Sequence, residues 1–328
     1  MSQDSTTVIM RPDLGIKLSV GAASHPGRAR ENNQDSLLVA DLERAGETDG
    51  LLLQSERDPG EFMESGEFDL GVRGAVLLVA DGMGGAVGGA TASGLTRECV
   101  RDVLIDAWVN DATLSADQFV HYLAEALRRS NASIRRHAVE HPHLDGMGTT
   151  ATAVGVLADT LYIAQVGDSR AYLVRDGEVA QLTRDQSLVQ QLVESGVARE
   201  KAEESSHRHV LLQALGTQPG ILVDVTHQQL RDGDVVVVCS DGLSNQVRAP
   251  EIARILGVTP NPSVACQSLI SLANERGGPD NITLVMCAFS GSGLEPSGEG
   301  DHVGYTPHPA AQSPFDAVPG DATVRIPR

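Results

Sequence analysis

Unbroken runs of aliphatic residues, with no polar alternation, mark the interior of this chain. Val76-Leu77-Leu78-Val79-Ala80 ends abruptly in Asp81-Gly82-Met83-Gly84-Gly85, and Asp234-Val235-Val236-Val237-Val238-Cys239-Ser240 ends in Asp241-Gly242. Such runs predict strands buried on both faces. Shorter apolar runs predict further strands over 16–24, 37–40, 149–154, 160–166, 171–174, 178–182, 221–225 and 282–289. Arg175-Asp176-Gly177 is a hairpin signal, so the central meander is antiparallel. Helical periodicity covers 90–108, and a second helix follows Ser115, an N-cap with Gln118 three residues on. Two more helices are predicted over about 250–257 and 262–276.

The remaining stretches lack these periods. Residues 1–15 are expected to form a flexible N-terminus. Residues 41–73 carry ten acids against three arginines, and are expected to be a disordered acidic insert. Residues 183–216 break the strand rhythm and form a candidate mobile flap carrying Gln186, Ser187 and His209. From 291 to 328 the chain is rich in Gly, Pro, Ser and His without a period, the composition of a disordered tail. One domain over 16–290 is the expectation.

Composition narrows the classes. The net charge over 328 residues is −19, which argues against non-specific binding to nucleic acid or anionic membranes. Aromatics are 3% of the chain, so the core is aliphatic. The four cysteines show no metal or redox spacing; Cys239 and Cys287 lie within apolar strands and read as small buried hydrophobes. There is no secretory signal and no apolar run of the ~20 residues a membrane span needs. A cytoplasmic monomer is the default expectation.

The chemistry lies in the acids. Asp35, Asp81, Asp168, Asp241 and Asp280 all sit at predicted strand ends or in glycine turns. Each alone is explained by turn formation, since Asp-Gly is common after strands. If they converge, they repel one another and must protonate or bind cations. All-oxygen ligands favour Mg²⁺ or Mn²⁺ over Zn²⁺. Two such ions about 3.5–4 Å apart activate a bridging water for in-line attack at phosphorus. Arg30, five residues before Asp35, is then a candidate phosphate clamp. His207 and His209 read as flap residues, because this chemistry needs no imidazole.

Taken in order, Arg30-Glu31-Asn32-Asn33-Gln34-Asp35, Asp81-Gly82-Met83-Gly84-Gly85, Gly148-Thr149-Thr150, Gly167-Asp168-Ser169-Arg170, Ser240-Asp241-Gly242-Leu243 and Gly278-Pro279-Asp280-Asn281-Ile282-Thr283 resemble the motifs of PP2C-type (PPM family) metal-dependent protein serine/threonine phosphatases, of the compact bacterial kind. The resemblance spans residues 21–289. It implies an α+β fold, a four-layer αββα sandwich of two packed antiparallel sheets flanked by helices. It implies that Asp81 bridges two metal ions, with the Gly82 carbonyl on one and Asp241 and Asp280 on the other. Asp35 would lie beside the cluster, binding through water or as an acceptor behind it. Asp168 with Asp241 would hold a weaker third ion. Arg30 would bind phosphate, and 183–216 would gate substrate access.

Two positions depart from the family pattern. Met83 stands where eukaryotic members often carry a histidine as general acid, and Gln34 stands where some members carry Glu. The leading expectation is hydrolysis of phosphoserine and phosphothreonine in proteins, opposing Ser/Thr kinases. The alternatives are a dedicated phosphatase of a phosphorylated anti-sigma antagonist and a catalytically silent phosphoprotein-binding module.

Overall fold

The computed structural model of the protein describes residues 14–44, 52–55 and 60–309. Among these, the strands are in chain order β1 (Lys17–His25), β2 (Ser36–Asp41), β3 (Leu52–Gln54), β4 (Phe62–Asp69), β5 (Ala75–Ala80), β6 (Gly82–Met83), β7 (Gly148–Thr149), β8 (Ala151–Leu157), β9 (Thr160–Val166), β10 (Arg170–Arg175), β11 (Glu178–Gln181), β12 (Asp224–Gln229), β13 (Val235–Cys239) and β14 (Ile282–Ser290). The helices are α1 (Ala86–Asp102), α2 (Ala116–Glu140), α3 (Leu188–Glu194), α4 (Arg199–Glu203), α5 (Asp241–Ser244), α6 (Ala249–Val258) and α7 (Pro262–Glu275).

Two six-stranded sheets form, in the orders β11-β10-β13-β14-β1-β4 and β12-β9-β8-β5-β2-β3. Neighbouring strands are antiparallel throughout. The apolar runs explain the layering. On β5, Leu77 and Val79 pack between the sheets while Val76 and Leu78 face α1 and α2. On β13, Val236 and Val238 pack between the sheets while Val237 and Cys239 face α6 and α7. Both strands therefore bury both faces, and the four layers are helices, sheet, sheet, helices, as the α+β reading required. Ser115 caps α2 by accepting from Gln118 N at 3.2 Å. No helix among the described residues is long and apolar enough to cross a membrane.

Three expectations are corrected. The acidic 41–73 stretch, expected as a disordered insert, supplies two edge strands; residues 45–51 and 56–59 of it lie outside the described residues. β4 pairs with β1 from Lys17↔Asp69 to Ser24↔Phe62. Only Phe62 and Phe68 of β4 pack toward the inter-sheet core, and its charged outer positions are those that keep an open edge from pairing with another chain. Helix α1 begins at Ala86, not near residue 90. Gly88 and Gly89 weaken the helical signal but are needed for packing, since a Cβ on Gly89 would press 2.8 Å from the Gly82 backbone. Helix α1 runs directly into a π-helical segment over Val103–Trp108.

The third correction concerns the expected disordered tail. Residues 291–309 fold back over the molecule; residues 310–328, like 1–13 of the expected flexible N-terminus, lie outside the described residues. Leu294 is buried in the inter-sheet core. Arg231 Nε donates to Asp301 at 2.7 Å, and Tyr305 donates its hydroxyl to Asp224 at 2.9 Å. His227 N donates to Thr306 O and His308 N to Val225 O, so the segment adds backbone pairing to the outer edge of β12. These contacts are polar and aperiodic, so no hydrophobic period announced them. A chain ending after Ser290 is expected to lose about 2 kcal/mol or more, from Leu294 burial alone, and to melt lower in scanning calorimetry; an unchanged melting temperature would contradict this packing.

Candidate metal centre

The antiparallel sheets bring one end of β2, β5, β9, β10, β13 and β14 together. Asp81 follows β5, Asp241 follows β13, Asp168 lies between β9 and β10, and Asp35 and Asp280 precede β2 and β14. A cleft of about 1240 Å³ opens there, lined by Arg30, Asp81, Gly82, Asp168, Asp241, Asp280, Ser187 and His209 among others. Nearly every candidate read from the sequence is thus brought to one place. Asp35 and Gln186 are not on its wall.

Backbone locks set the acids. The Asp81 carbonyl accepts from Thr150 N at 2.8 Å and from Thr149 Oγ1 at 2.7 Å, and Asp81 N donates to Thr150 Oγ1 at 3.1 Å. This is why Gly148-Thr149-Thr150 accompanies Asp81. Gly84 takes φ +99°, and a Cβ there would meet Met147 Cα at 2.7 Å, so the turn after Asp81 needs glycine. Asp241 opens the short α5, with Ser240 as its N-cap.

Asn281 is a residue whose role sequence reasoning missed. It is buried, and its Nδ2 donates to the carbonyls of Pro26 and Asn32, both at 2.9 Å. Its Oδ1 accepts from Gln34 N at 2.8 Å. Asn281 thereby ties the whole Arg30 loop to the residue beside Asp280. Arg30 Nη2 in turn lies 2.9 Å from Asp280 Oδ2. The only signal in the sequence was the Asp-Asn pair inside a loop motif.

The electrostatics show acids forced together. Burial, then the charges of Asp35, Asp241 and Asp168, hold the Asp81 carboxyl well above the usual carboxylate range. Burial and then Asp280 raise Asp241, opposed by a hydrogen bond that it shares with the Asp81 side chain. Asp168 is raised well above the usual range by burial and by Asp241 and Asp185, with Arg170 opposing. Asp35 lies beneath the cleft wall, 1% exposed, and burial pushes it up to about 7. Its Oδ2 accepts from Ser240 Oγ at 2.8 Å, while Oδ1 has no hydrogen-bond partner. The donors are all oxygen, burial and mutual repulsion raise the carboxyls of Asp81, Asp168 and Asp241, and one buried oxygen is unpartnered. That set fits a hard divalent cation.

The flap splits into anchors and lining. Ser187 caps α3 through its Oγ, which accepts from Gln190 N at 3.3 Å, and faces the cleft. His209 is exposed at the cleft and favours an ionised Asp241. Gln186, expected as an access residue, is instead buried: its Oε1 accepts from Gly167 N at 2.8 Å, which fastens the flap root to the Asp168 turn. Leu215 at the flap's far end exchanges two backbone hydrogen bonds with Thr149, at 3.0 and 2.8 Å. Arg170 lies in the cleft but is engaged by Asp185 in a two-pronged pair at 2.9 and 2.6 Å.

A two-sheet sandwich with convergent acids and an arginine at one end defines a metal-dependent phosphoester hydrolase. A sequence profile of protein phosphatase 2C matches residues 67–268. The serine/threonine phosphatase stp of Listeria innocua is 36% identical over 213 residues, 64% of this chain and 83% of that protein. The serine/threonine protein phosphatase PstP of Mycobacterium tuberculosis is 35% identical over 237 residues, 72% of this chain and 44% of that protein. The solved S. agalactiae serine/threonine phosphatase superposes with a TM-score of 0.67 at 31% identity, covering 82% of this chain and 98% of that one. The catalytic domain of PstP in complex with two manganese ions gives 0.64 at 30%, covering 84% and 99%. The chain belongs to the protein phosphatase 2C family, and is a serine/threonine phosphatase of the bacterial type.

The Asn281 buckle makes a separable prediction. Asn281→Ala removes three hydrogen bonds to the Arg30 loop and is expected to cost about 1–3 kcal/mol. It should also raise KM for a phosphopeptide at temperatures where the variant is still folded, because Arg30 loses its fixed position. Thermal melting and steady-state kinetics check both; an unchanged KM would remove Asn281 from the positioning of Arg30.

Proposed function

We propose that this chain hydrolyses phosphoserine and phosphothreonine in proteins through two divalent cations, Mn²⁺ or Mg²⁺, held by Asp81, the Gly82 carbonyl, Asp241 and Asp280. Asp168 with Asp241 is assigned a weaker third ion. The observation that supports this most is the convergence of all-oxygen donors, among which burial and mutual repulsion raise the carboxyl pKa values of Asp81, Asp168 and Asp241. The two manganese ions in the PstP relative support the same count.

When bound, such ions neutralise the acids, lower the pKa of the attacking water and stabilise charge at phosphorus. The chain's own residues do the rest. Arg30 presents a planar fork to two phosphoryl oxygens; its pairing with Asp280 keeps it at the cleft before substrate arrives. Asp35, behind the wall, is held by Ser240 and offers its unpartnered Oδ1 toward the cluster as an acceptor for water. The flap residues Ser187 and His209 border the path by which a phosphorylated side chain enters. Met83 carries no titratable proton, so it takes no part in leaving-group protonation. The complete set of acids and Arg30 favours turnover over silent binding, and the opposing enzymes are then Ser/Thr kinases.

Asp81→Asn and Asp241→Asn are each expected to lower Mn²⁺-dependent turnover of a phosphothreonine peptide by at least about a hundredfold. The reading fails if either variant keeps wild-type rates under saturating metal. A chelator should abolish wild-type turnover.

Proton linkage gives a second check that does not need activity. Asp35 is raised from 3.8 to about 7, so the metal-free fold holds more protons than the unfolded chain across that window. Its stability therefore falls as pH rises through it. Cations compete with those protons, so the rise in melting temperature on adding Mn²⁺ should grow between about pH 5 and pH 7.5. A Mn²⁺ effect that is flat or shrinks with pH would oppose the assignment.

A further inference from the structure

Among the described residues, one group of three His, Cys, Asp or Glu side chains has ligand atoms all within 4.8 Å of one another: His137, Glu140 and His141. None of the three lines the acidic cleft. They stand at the C-terminal end of α2, the longest helix described, with 25 residues. We propose that they form a second metal site, for a borderline divalent cation of the Zn²⁺ class.

His137 and Glu140 lie in the last turn of α2, and His141 is its C-cap, held over His137 because its backbone N–H donates to the His137 carbonyl at 2.9 Å. Residues i and i+4 of a helix lie one above the other, and i+3 lies beside them. Two histidines at i and i+4 are a recurrent zinc-binding pair. The two rings stack side by side with centroids 4.1 Å apart and planes 22° from parallel; a histidine holds a metal in the plane of its own ring, so one ring must turn out of this stack for both to meet one ion. His141 Nδ1 lies 3.0 Å from the His137 carbonyl oxygen. A carbonyl can only accept, so Nδ1 carries the hydrogen and Nε2 keeps its lone pair. This is the arrangement by which an outer hydrogen bond to backbone fixes the tautomer of a ligating histidine.

The remaining geometry and charge agree. Ligand atoms at about 2.0–2.2 Å around a tetrahedral ion are about 3.4 Å apart. Closing from 4.8 Å to that spacing needs an approach of about 1.4 Å, supplied by turning the His137 ring out of the stack and by the exposed Glu140 side chain. The C-terminal carbonyls of a long helix carry partial negative charge, which favours a cation there. Two imidazoles and one carboxylate match Zn²⁺ with water in the fourth position, and disfavour Mg²⁺ and Mn²⁺. The chain would then separate two metal classes by donor type: oxygens in the cleft, imidazoles at the end of α2.

The test uses the full-length chain without a histidine tag, its cleft saturated with Mn²⁺, titrated with Zn²⁺ against a chromogenic chelator. One equivalent of Zn²⁺ is expected to bind, and His137→Ala and His141→Ala should each weaken it at least about tenfold. Mn²⁺-dependent phosphatase activity should be unchanged in both. Histidine ring nitrogen NMR on the wild type should show the His141 Nε2 resonance moving on Zn²⁺ addition. Equal Zn²⁺ binding by wild type and the double variant, or a wild-type Kd weaker than about 1 mM, would overturn the site. So would a Zn²⁺ equivalent that excess Mn²⁺ displaces.

Discussion

Mutual repulsion of carboxylates is the constraint on which this structure depends. Two unit charges 4 Å apart cost about 4 kcal/mol at an effective dielectric of about 20, and here four acids face one another in a cleft with a fifth beneath it. No local sequence feature could hold such a group together. What holds it is the antiparallel double sheet, whose strand ends carry the acids whether the chain is entering or leaving a strand. The apolar strands, buried on both faces, make that frame stiff. The protein thus uses its hydrophobic interior to force an arrangement that electrostatics opposes, and the stored repulsion is what gives the cleft its demand for cations.

The acids are also fixed to one another through neutral groups. Thr149 and Thr150 pin Asp81, Ser240 bridges Asp35 to the Thr283 backbone, and Asn281 joins the Arg30 loop to the Asp280 turn. Ser240 Oγ accepts from Thr283 N at 3.0 Å while donating to Asp35. Each lock joins strands from different parts of the chain, so the site is assembled only when both sheets are. Asp81 and Asp35 are held by neutral groups, whereas Asp280 is paired with the Arg30 guanidinium at 2.9 Å.

What was legible in the sequence follows from these physical roles. Asp81 and Asp241 stood out because each terminates a run with no polar alternation, and the two sheets could be foreseen from the same runs. Asn281 and Gln186 were opaque, since their hydrogen bonds reach residues 249 and 19 positions away and nothing local marks such partners. β4 was opaque because an edge strand with a wet face reads as a loop: only Phe62 and Phe68 carry its period. His137, Glu140 and His141 were visible as helix but not as a group, because the surrounding pattern accounted for the helix without them.

The segment 291–309 shows why composition alone misjudges a terminus. It offers Leu294 to a buried core, with Val303 packed against the same core, and it is held at several further points by charge and backbone pairing. Its Tyr305 ring lies under the Arg184 guanidinium, 5.5 Å away, and Arg184 Nε also donates to Glu194 of α3 at 2.6 Å. Thr226 of β12 donates to Leu182 O at 3.0 Å. The root of the flap, residues 182–186, is therefore gripped by the returning C-terminal segment on one side and by the Asp168 turn on the other. The tip itself is tied back to this root, since Leu212 N donates to Gln186 O at 2.8 Å and Leu188 N to Val210 O at 2.9 Å, while Arg208 and His209 between them remain exposed over the cleft.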